Sequence, residues 1–392
     1  FKAASREVID VLETQGKIGS GQVTGQFWAA NAVSATVDKK MLSRLSGRDD
    51  IAQITLDRVI MFEEPPQVQS TTKDDKNWTY GLKKMGVPEV RQSYNLTGEG
   101  ITVAVLDTGI DAEHPDLAGK VVAWKDWAGE SEEPKDAHGH GTHCAGTIAG
   151  GSTSGRAIGV APDAKLVIGR IFGDNGSATL SGILGAMNWV TDPDGDAETN
   201  DAPQLVSNSW GGRQGSMEQE KSMWNIVKTW RSLNIVPVFA AGNSGPWPKT
   251  VGTPGGYPHS YAVGATNGSD KAAYFSSRGP IKWEDVSYNK PDISAPGVGV
   301  LSAKPGGGYQ KMSGTSMACP HVAGLMALML QANPSLTVKQ VEELLNSNSV
   351  DLGKDGLDNT YGHGRADIKT TIDSIKGARN GQEEKFNSLF TE

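Results

Sequence analysis

Gly314-Thr315-Ser316-Met317-Ala318-Cys319-Pro320-His321-Val322-Ala323-Gly324 sets the reading of the whole chain. Two small residues precede a serine, and an almost unbroken apolar run from Val322 to Leu330 follows it. Val322, Leu325, Met326 and Met329 share one face while Ala and Leu cover the rest, the pattern of a helix buried on most sides. A helix starting near Ser316 tolerates Pro320 in its opening turn, whose N–H groups have no internal acceptor. The serine then lies at a helix N-terminus, where free N–H groups and the macrodipole favour developing negative charge. The same string also suits a plain glycine turn with serine as N-cap. Partners elsewhere must decide.

Outward from this helix, short apolar strands alternate with helices. Ile101 to Leu106, Leu166 to Ile171, Leu205 to Ser209, Val236 to Ala240 and Tyr261 to Ala265 are continuous rather than alternating apolar runs. That composition predicts strands buried on both faces, as in a parallel sheet flanked by helices. Helices are expected over His140 to Ala149, Leu180 to Val190, Met217 to Ser232, Ser316 to Ala332 and Thr337 to Ser347. The fold class is therefore α/β, a mostly parallel sheet sandwiched by helices. Residues 1 to 63 form a separate small α+β unit, with an amphipathic helix over Ser5 to Thr14, a second over Lys39 to Leu45, and strand composition in Val23 to Val37 and Ile51 to Phe62. Residues 64–78 read as a polar linker, 79–377 as the main domain and 378–392 as a polar tail.

Composition narrows the function. A formal net charge of -8 disfavours nucleic acid and anionic membranes as partners. No apolar run approaches the roughly 20 residues that span a bilayer. Phe1 in place of Met reads as a processed or trimmed chain. Two cysteines, Cys144 and Cys319, are too few for a disulfide framework or a thiolate metal site.

Asp107 closes a buried strand, where a desolvated carboxylate seeks a polarised partner, although a turn-capping role also fits. His138-Gly139-His140-Gly141-Thr142-His143 is rich in imidazole, so a metal site and a catalytic base must both be weighed; neither an HExxH pattern nor a Cys pair is present. Asn243 follows another buried strand in a glycine-rich turn and suits either that turn or an amide donor to an oxyanion. Together an acid, an imidazole, an amide and a serine supply every role in acyl transfer. An α/β-hydrolase esterase would need a Gly-x-Ser-x-Gly elbow and the order Ser, acid, His, and has neither here. A catalytically silent binding module is the other rival, disfavoured because all four roles are filled.

These blocks resemble the subtilisin-like serine proteases. Val105-Leu106-Asp107-Thr108-Gly109, His140-Gly141-Thr142-His143-Cys144-Ala145-Gly146, Ala241-Gly242-Asn243 and Gly314-Thr315-Ser316-Met317-Ala318 occur in the order of that family, and Asn208-Ser209-Trp210-Gly211-Gly212 with Tyr361-Gly362-His363-Gly364 resembles its bacillopeptidase F branch. The resemblance implies an exported, monomeric endopeptidase acting on polypeptides without a catalytic cofactor. It implies Ser316 as nucleophile, His140 as general base then acid, Asp107 as its orienting acid, and Asn243 with the Ser316 N–H as oxyanion donors. Substrate would lie between the edges Gly176-Ser177-Ala178 and Ser209-Trp210-Gly211, and Ala241, Gly242 and Gly252 would complete the specificity pocket.

Residues 1–63 would then be an inhibitory propeptide of ferredoxin-like βαββαβ plan, with Ile60-Met61-Phe62-Glu63 in the product-like positions. First autocleavage is expected after Glu63, with Glu64 next. An acidic residue there calls for charge compensation, for which Arg213 and Lys249 are near in sequence. The family's calcium site would use Asp116 and an Asn-bearing loop, but the loop Gly150 to Gly155 has neither Asn nor carboxylate, which argues against it. Asp192, Asp194 and Asp196 offer hard oxygen ligands in a tight loop that suits either structural calcium or a solvated acidic surface. Cys144 and Cys319 are expected as buried free thiols, with a disulfide as the alternative.

Overall fold

Strands that are apolar throughout need cover on both faces, and the computed structural model of the protein supplies it. Residues 2–16, 21–63, 66, 68, 72–196, 198–212 and 217–379 are described. The N-terminal unit contains α1 (Lys2–Gly16), β1 (Gly21–Phe27), a 3-10 turn (Trp28–Ala30), β2 (Ala32–Val37), α2 (Lys39–Leu45) and β3 (Val59–Met61). The main unit follows with α3 (Tyr80–Lys84), α4 (Val87–Tyr94), β4 (Thr102–Asp107), β5 (Val121–Asp126), α5 (His140–Ala149), β6 (Lys165–Arg170), β7 (Ser177–Thr179) and α6 (Leu180–Trp189). Next come β8 (Leu205–Asn208), α7 (Met217–Ser232), β9 (Val236–Ala240), β10 (Tyr261–Thr266), the hairpin β11 (Ile281–Trp283) and β12 (Val286–Tyr288), and β13 (Ile293–Pro296). A second hairpin, β14 (Val300–Lys304) and β15 (Gly308–Met312), leads to α8 (Thr315–Ala332), α9 (Val338–Ser347) and α10 (Ile368–Arg379).

Seven strands pair in parallel in the order β13-β10-β9-β8-β4-β6-β5. β4 shows why its sequence lacks alternation. Val103 and Val105 enter the core beneath α5 and α8, whereas Ala104 and Leu106 enter the opposite core with α6 and α7. Helix α8 runs through the first of these cores, and every residue in it except Gln331 is buried. Pro320 is the exception to the sequence expectation. With Thr315 as the first helical residue, Pro320 stands sixth, past the positions whose N–H is unclaimed, so one internal bond is missing.

The N-terminal unit departs from the ferredoxin-like plan. β1 and β2 form a two-stranded antiparallel hairpin, closed by Asn31 at φ 52°, over a small core of Leu12, Met41 and Leu45. Residues 51–58 make no strand. The last two of these residues are committed to the main unit. Asp57 accepts the Ser181 N–H at 2.9 Å and its hydroxyl at 2.7 Å, capping α6, and the Arg58 carbonyl accepts the Leu180 N–H at 2.9 Å. β3 pairs antiparallel with β7 of the main unit, Ile60 opposite Ala178 and Met61 opposite Ser177. The 3-10 turn is held by Asn188 Oδ1, which accepts the Ala29 N–H, and by Thr229 Oγ1, which donates to the Ala29 carbonyl. At the other end of the chain, α10 continues through Arg379, into the stretch expected as a polar tail; residues 380–392 lie outside those described.

Candidate active site

Asp107 ends β4, and Ser209 and Asn243 lie just beyond β8 and β9, so all three sit past the carboxyl edge of the sheet. β4 is flanked there by β6 and β8, the point where the winding reverses. Two glycines bring the helix of His140 to this edge. Gly109 has φ +118°, and a Cβ on it would lie 1.9 Å from the Lys135 carbonyl oxygen; a Cβ on Gly141 would lie 2.2 Å from that of Gly109. The β4 loop and the first turn of α5 can therefore touch.

In the resulting contact, Asp107 Oδ1 accepts the Thr108 N–H at 2.7 Å and His140 Nδ1–H at 2.7 Å, with both side chains fully buried. The carboxylate thereby fixes the Nδ1–H tautomer and leaves Nε2 as the free base; among the described residues Nε2 has no hydrogen-bond partner. Burial lowers the His140 pKa, but Asp107 and Cys144 outweigh it and hold the imidazole well above its ordinary range. Asp136, which sequence reading passed over, organises the approach to α5. Its Oδ1 accepts Thr108 Oγ1–H and the Gly139 N–H, and its Oδ2 accepts the N–H and hydroxyl of Thr142. An Asp just ahead of a predicted helix start was the available signal.

Ser316 is the second residue of α8, so its N–H has no intrahelical acceptor. Its hydroxyl donates to the Ser209 carbonyl at 2.9 Å. Cys144 bridges the two helices, with Sγ 3.8 Å from His140 Nδ1 and 3.5 Å from the Ser316 carbonyl oxygen. Asn243 Oδ1 accepts both the N–H and the hydroxyl of Thr315, at 2.9 and 3.0 Å. An N–H can only donate, so the atom facing it is oxygen and the amide NH2 is turned the other way. Ser209, Trp210, Gly211, Ala241, Gly242, Gly252, Asn243 and Ser316 line one pocket together with Glu63. Across the cleft, the Gly176 carbonyl accepts the Phe62 N–H at 2.7 Å, and Ser177 and Ala178 pair with β3. The Phe62 ring stands edge-on to His140 with centroids 4.6 Å apart, and to Phe172 at 5.2 Å. The N-terminal unit thus delivers its last described residues into the site.

Several expectations change here. Lys249 is absent from the pocket wall, its N–H spent on the Gly279 carbonyl, and Arg213 and Glu64 lie outside the described residues. Among the described residues the wall is neutral, with polar groups from Ser209, Asn243, Ser244, Thr250 and Thr315. The three imidazoles do not converge on a metal, because His143 Nε2 is bonded to the Val300 carbonyl and no potential metal-binding group among the described residues contains two histidines. Asp116 accepts the Thr153 N–H through Oδ1 and the Tyr309 hydroxyl through Oδ2. In the acidic loop, Asp192 and Asp194 converge with Asp201 rather than Asp196, whose carboxylate caps its own turn through the Glu198 N–H. Both cysteines are free and buried; burial raises both thiols, that of Cys319 to about 12.

His143 and His321 are buried without charge. Burial lowers His143 to about 3 and His321 to about 4. Both stay neutral in the fold while the unfolded chain protonates near 6.5, so stability is present above that pH and is lost as pH falls through it. At pH 5 the loss is about 2 kcal/mol per group. His140, raised rather than lowered, contributes in the opposite window and adds no slope below 6.5. Thermal unfolding should show Tm falling steeply from pH 7 to pH 5; a flat profile would contradict these assignments.

A family model described as Subtilase family matches residues 98–364. Subtilisin E of Bacillus subtilis (strain 168) is 35% identical over 363 residues, covering 92% of this chain and 84% of that protein. Serine protease AprX of the same strain is 39% identical, over 72% of this chain and 68% of its own length. Bacillopeptidase F, also of that strain, is 32% identical over 96% of this chain, which spans 28% of its length.

Proposed function

Because this chain belongs to the subtilase family of serine endopeptidases, we propose that it hydrolyses peptide bonds through Ser316, His140 and Asp107, and that it is made as a self-cleaving zymogen. The observation that carries the reading is the antiparallel pairing of β3 with β7, which brings Phe62 against His140 and Glu63 into the pocket of Ser316. An extended peptide added to an exposed edge is how a protease holds a substrate backbone.

Rotation about the Ser316 Cα–Cβ bond carries its hydroxyl from the Ser209 carbonyl to His140 Nε2. As that nitrogen takes the proton, Oγ bonds to the carbonyl carbon of Glu63. The oxygen of the tetrahedral intermediate, now negative, receives donors from Asn243 Nδ2 and the Ser316 N–H. His140 returns the proton to the leaving amine of residue 64, and water hydrolyses the acyl-enzyme by the same steps reversed. The chemistry uses no cofactor. Residues 1–63 then remain as an inhibitor that must dissociate or be degraded, and the enzyme is exported and works as a monomer.

Incubating the full chain and reading intact mass with the new N-terminus tests this directly. Cleavage after Glu63 is the expected product, with cleavage after Glu64 next. A chain that never processes, or one cut far from residues 63 and 64, would sink the zymogen reading. Glu63 itself occupies this pocket, so acidic residues should be accepted there in a peptide library; acidic side chains as the poorest class would exclude that specificity.

Asp192, Asp194 and Asp201 form the calcium site of this reading. Their ligand oxygens lie within 4.8 Å of one another, and Asp192 Oδ1 is buried with no hydrogen-bond partner among the described residues. Tm should drop when a chelator is added. Equal values with and without it would remove calcium as a structural element.

A further inference from the structure

The carbonyl of Ser316 cannot be satisfied by its own helix. In α8 the oxygen of residue i accepts from the N–H of residue i+4, and for Ser316 that residue is Pro320, which has none. Two donors reach it from outside the helix. Ser209 Oγ–H donates at 2.9 Å, and Cys144 Sγ–H, an intrinsically weak donor, at 3.5 Å. The carbonyl of Ser209 in turn accepts Ser316 Oγ–H at 2.9 Å. Each serine thus gives its side-chain proton to the backbone of the other. Ser209 is 1% exposed and stands immediately after β8, at the head of the edge that walls the pocket.

We infer that Ser209 is a positioning residue for the reaction: its hydroxyl replaces the backbone N–H that Pro320 lacks and ties the first turn of α8 to the substrate-binding edge. This rests on the reading of Ser316 as nucleophile. An unbroken helical ladder would spend the Ser316 carbonyl inside α8, leaving helix and edge joined there through packing and the nucleophile's own hydroxyl. That hydroxyl must leave Ser209 when it turns to His140, and the bond from Ser209 Oγ is the one that survives the turn. Nucleophile, Ser316 N–H and pocket wall then stay in register when substrate is attacked. Asn243 anchors the other side of the same turn by taking both donors of Thr315. Preorganised donors of this kind raise rate more than they tighten binding.

The test is a double-mutant cycle on the full chain allowed to mature, with kcat and KM measured on a peptide substrate. Ser209→Ala should lower kcat about 10- to 100-fold with KM within about twofold, since sub-ångström misplacement of a reacting group costs on this scale. In the Pro320→Ala background the same substitution should cost less than about threefold, because residue 320 then donates to the Ser316 carbonyl itself. Equal losses in both backgrounds, no loss in either, or a loss carried by KM would overturn the inference. If Pro320→Ala does not fold, the kcat-against-KM split of Ser209→Ala decides alone. A fluorophosphonate probe separates the two layers. Labelling of Ser316 with uncoupled kinetics sinks this inference alone, whereas absence of label in the wild-type enzyme sinks the nucleophile assignment and this inference with it.

Discussion

Replacing Ser316 by alanine should leave the full chain at its starting mass of 41.5 kDa, with turnover lowered by about 10⁶-fold. The magnitude is that found for subtilisin itself, where removing the serine or the histidine alone costs about as much as removing all three residues. The substitution spares the fold. It deletes one hydrogen bond, from Ser316 Oγ to the Ser209 carbonyl, worth about 1 kcal/mol net. The carbonyl of Ser316 keeps both of its donors. Intact-mass spectra over a day, set beside a Tm measurement, give the result. A folded Ser316→Ala chain that still processes at the wild-type rate would mean that another group, or a contaminating protease, does the cutting.

Asp107→Asn should cost about 10⁴-fold in kcat while the protein stays folded. The acceptor for His140 Nδ1–H becomes an amide that can turn its NH2 toward the ring, stabilising the tautomer with its proton on Nε2, where the base is needed. The charge effect is separable by pH. In the native protein Asp107 and Cys144 together overcome burial and raise His140, so the acid limb of the kcat profile is expected above pH 6.5. Removing the carboxylate removes a raising influence, and the limb should move to lower pH even as the plateau falls. A profile that drops without moving would leave Asp107 with a steric role alone.

Much of this arrangement was legible beforehand because burial and chemistry leave strong traces. The inner strands β4, β8 and β9 read as apolar runs since both faces are covered, and α5 and α8 read as helices from small and apolar residues respectively. β5 left no such trace. It lies at the sheet margin, with Val122 56% exposed and Lys125 exposed, so its sequence carries no continuous apolar signal. β13, four residues ending in Pro296, is equally short of pattern. The positions of Asp107, His140, Asn243 and Ser316 could be named from local strings, but their bracing could not. Asp136 reaches Thr108 across 28 residues, Thr315 reaches Asn243 across 72 and Ser209 reaches Ser316 across 107, and pairing over such separations is set by tertiary packing. Lys249 was set near the pocket by closeness in sequence alone, and it is not among the described residues that line the wall.

The ladder between β3 and β7 has one more consequence, for which sequences this cleft can tell apart. Met61 and Val59 stand 61% and 65% exposed while Phe62 is buried and Ile60 packs on the core, so neighbouring side chains point alternately to water and to protein. Backbone pairing is blind to residue type. Discrimination along this stretch therefore falls on every second position, and a profile of tolerated peptides should alternate between permissive and choosy sites rather than fade smoothly with distance from the scissile bond.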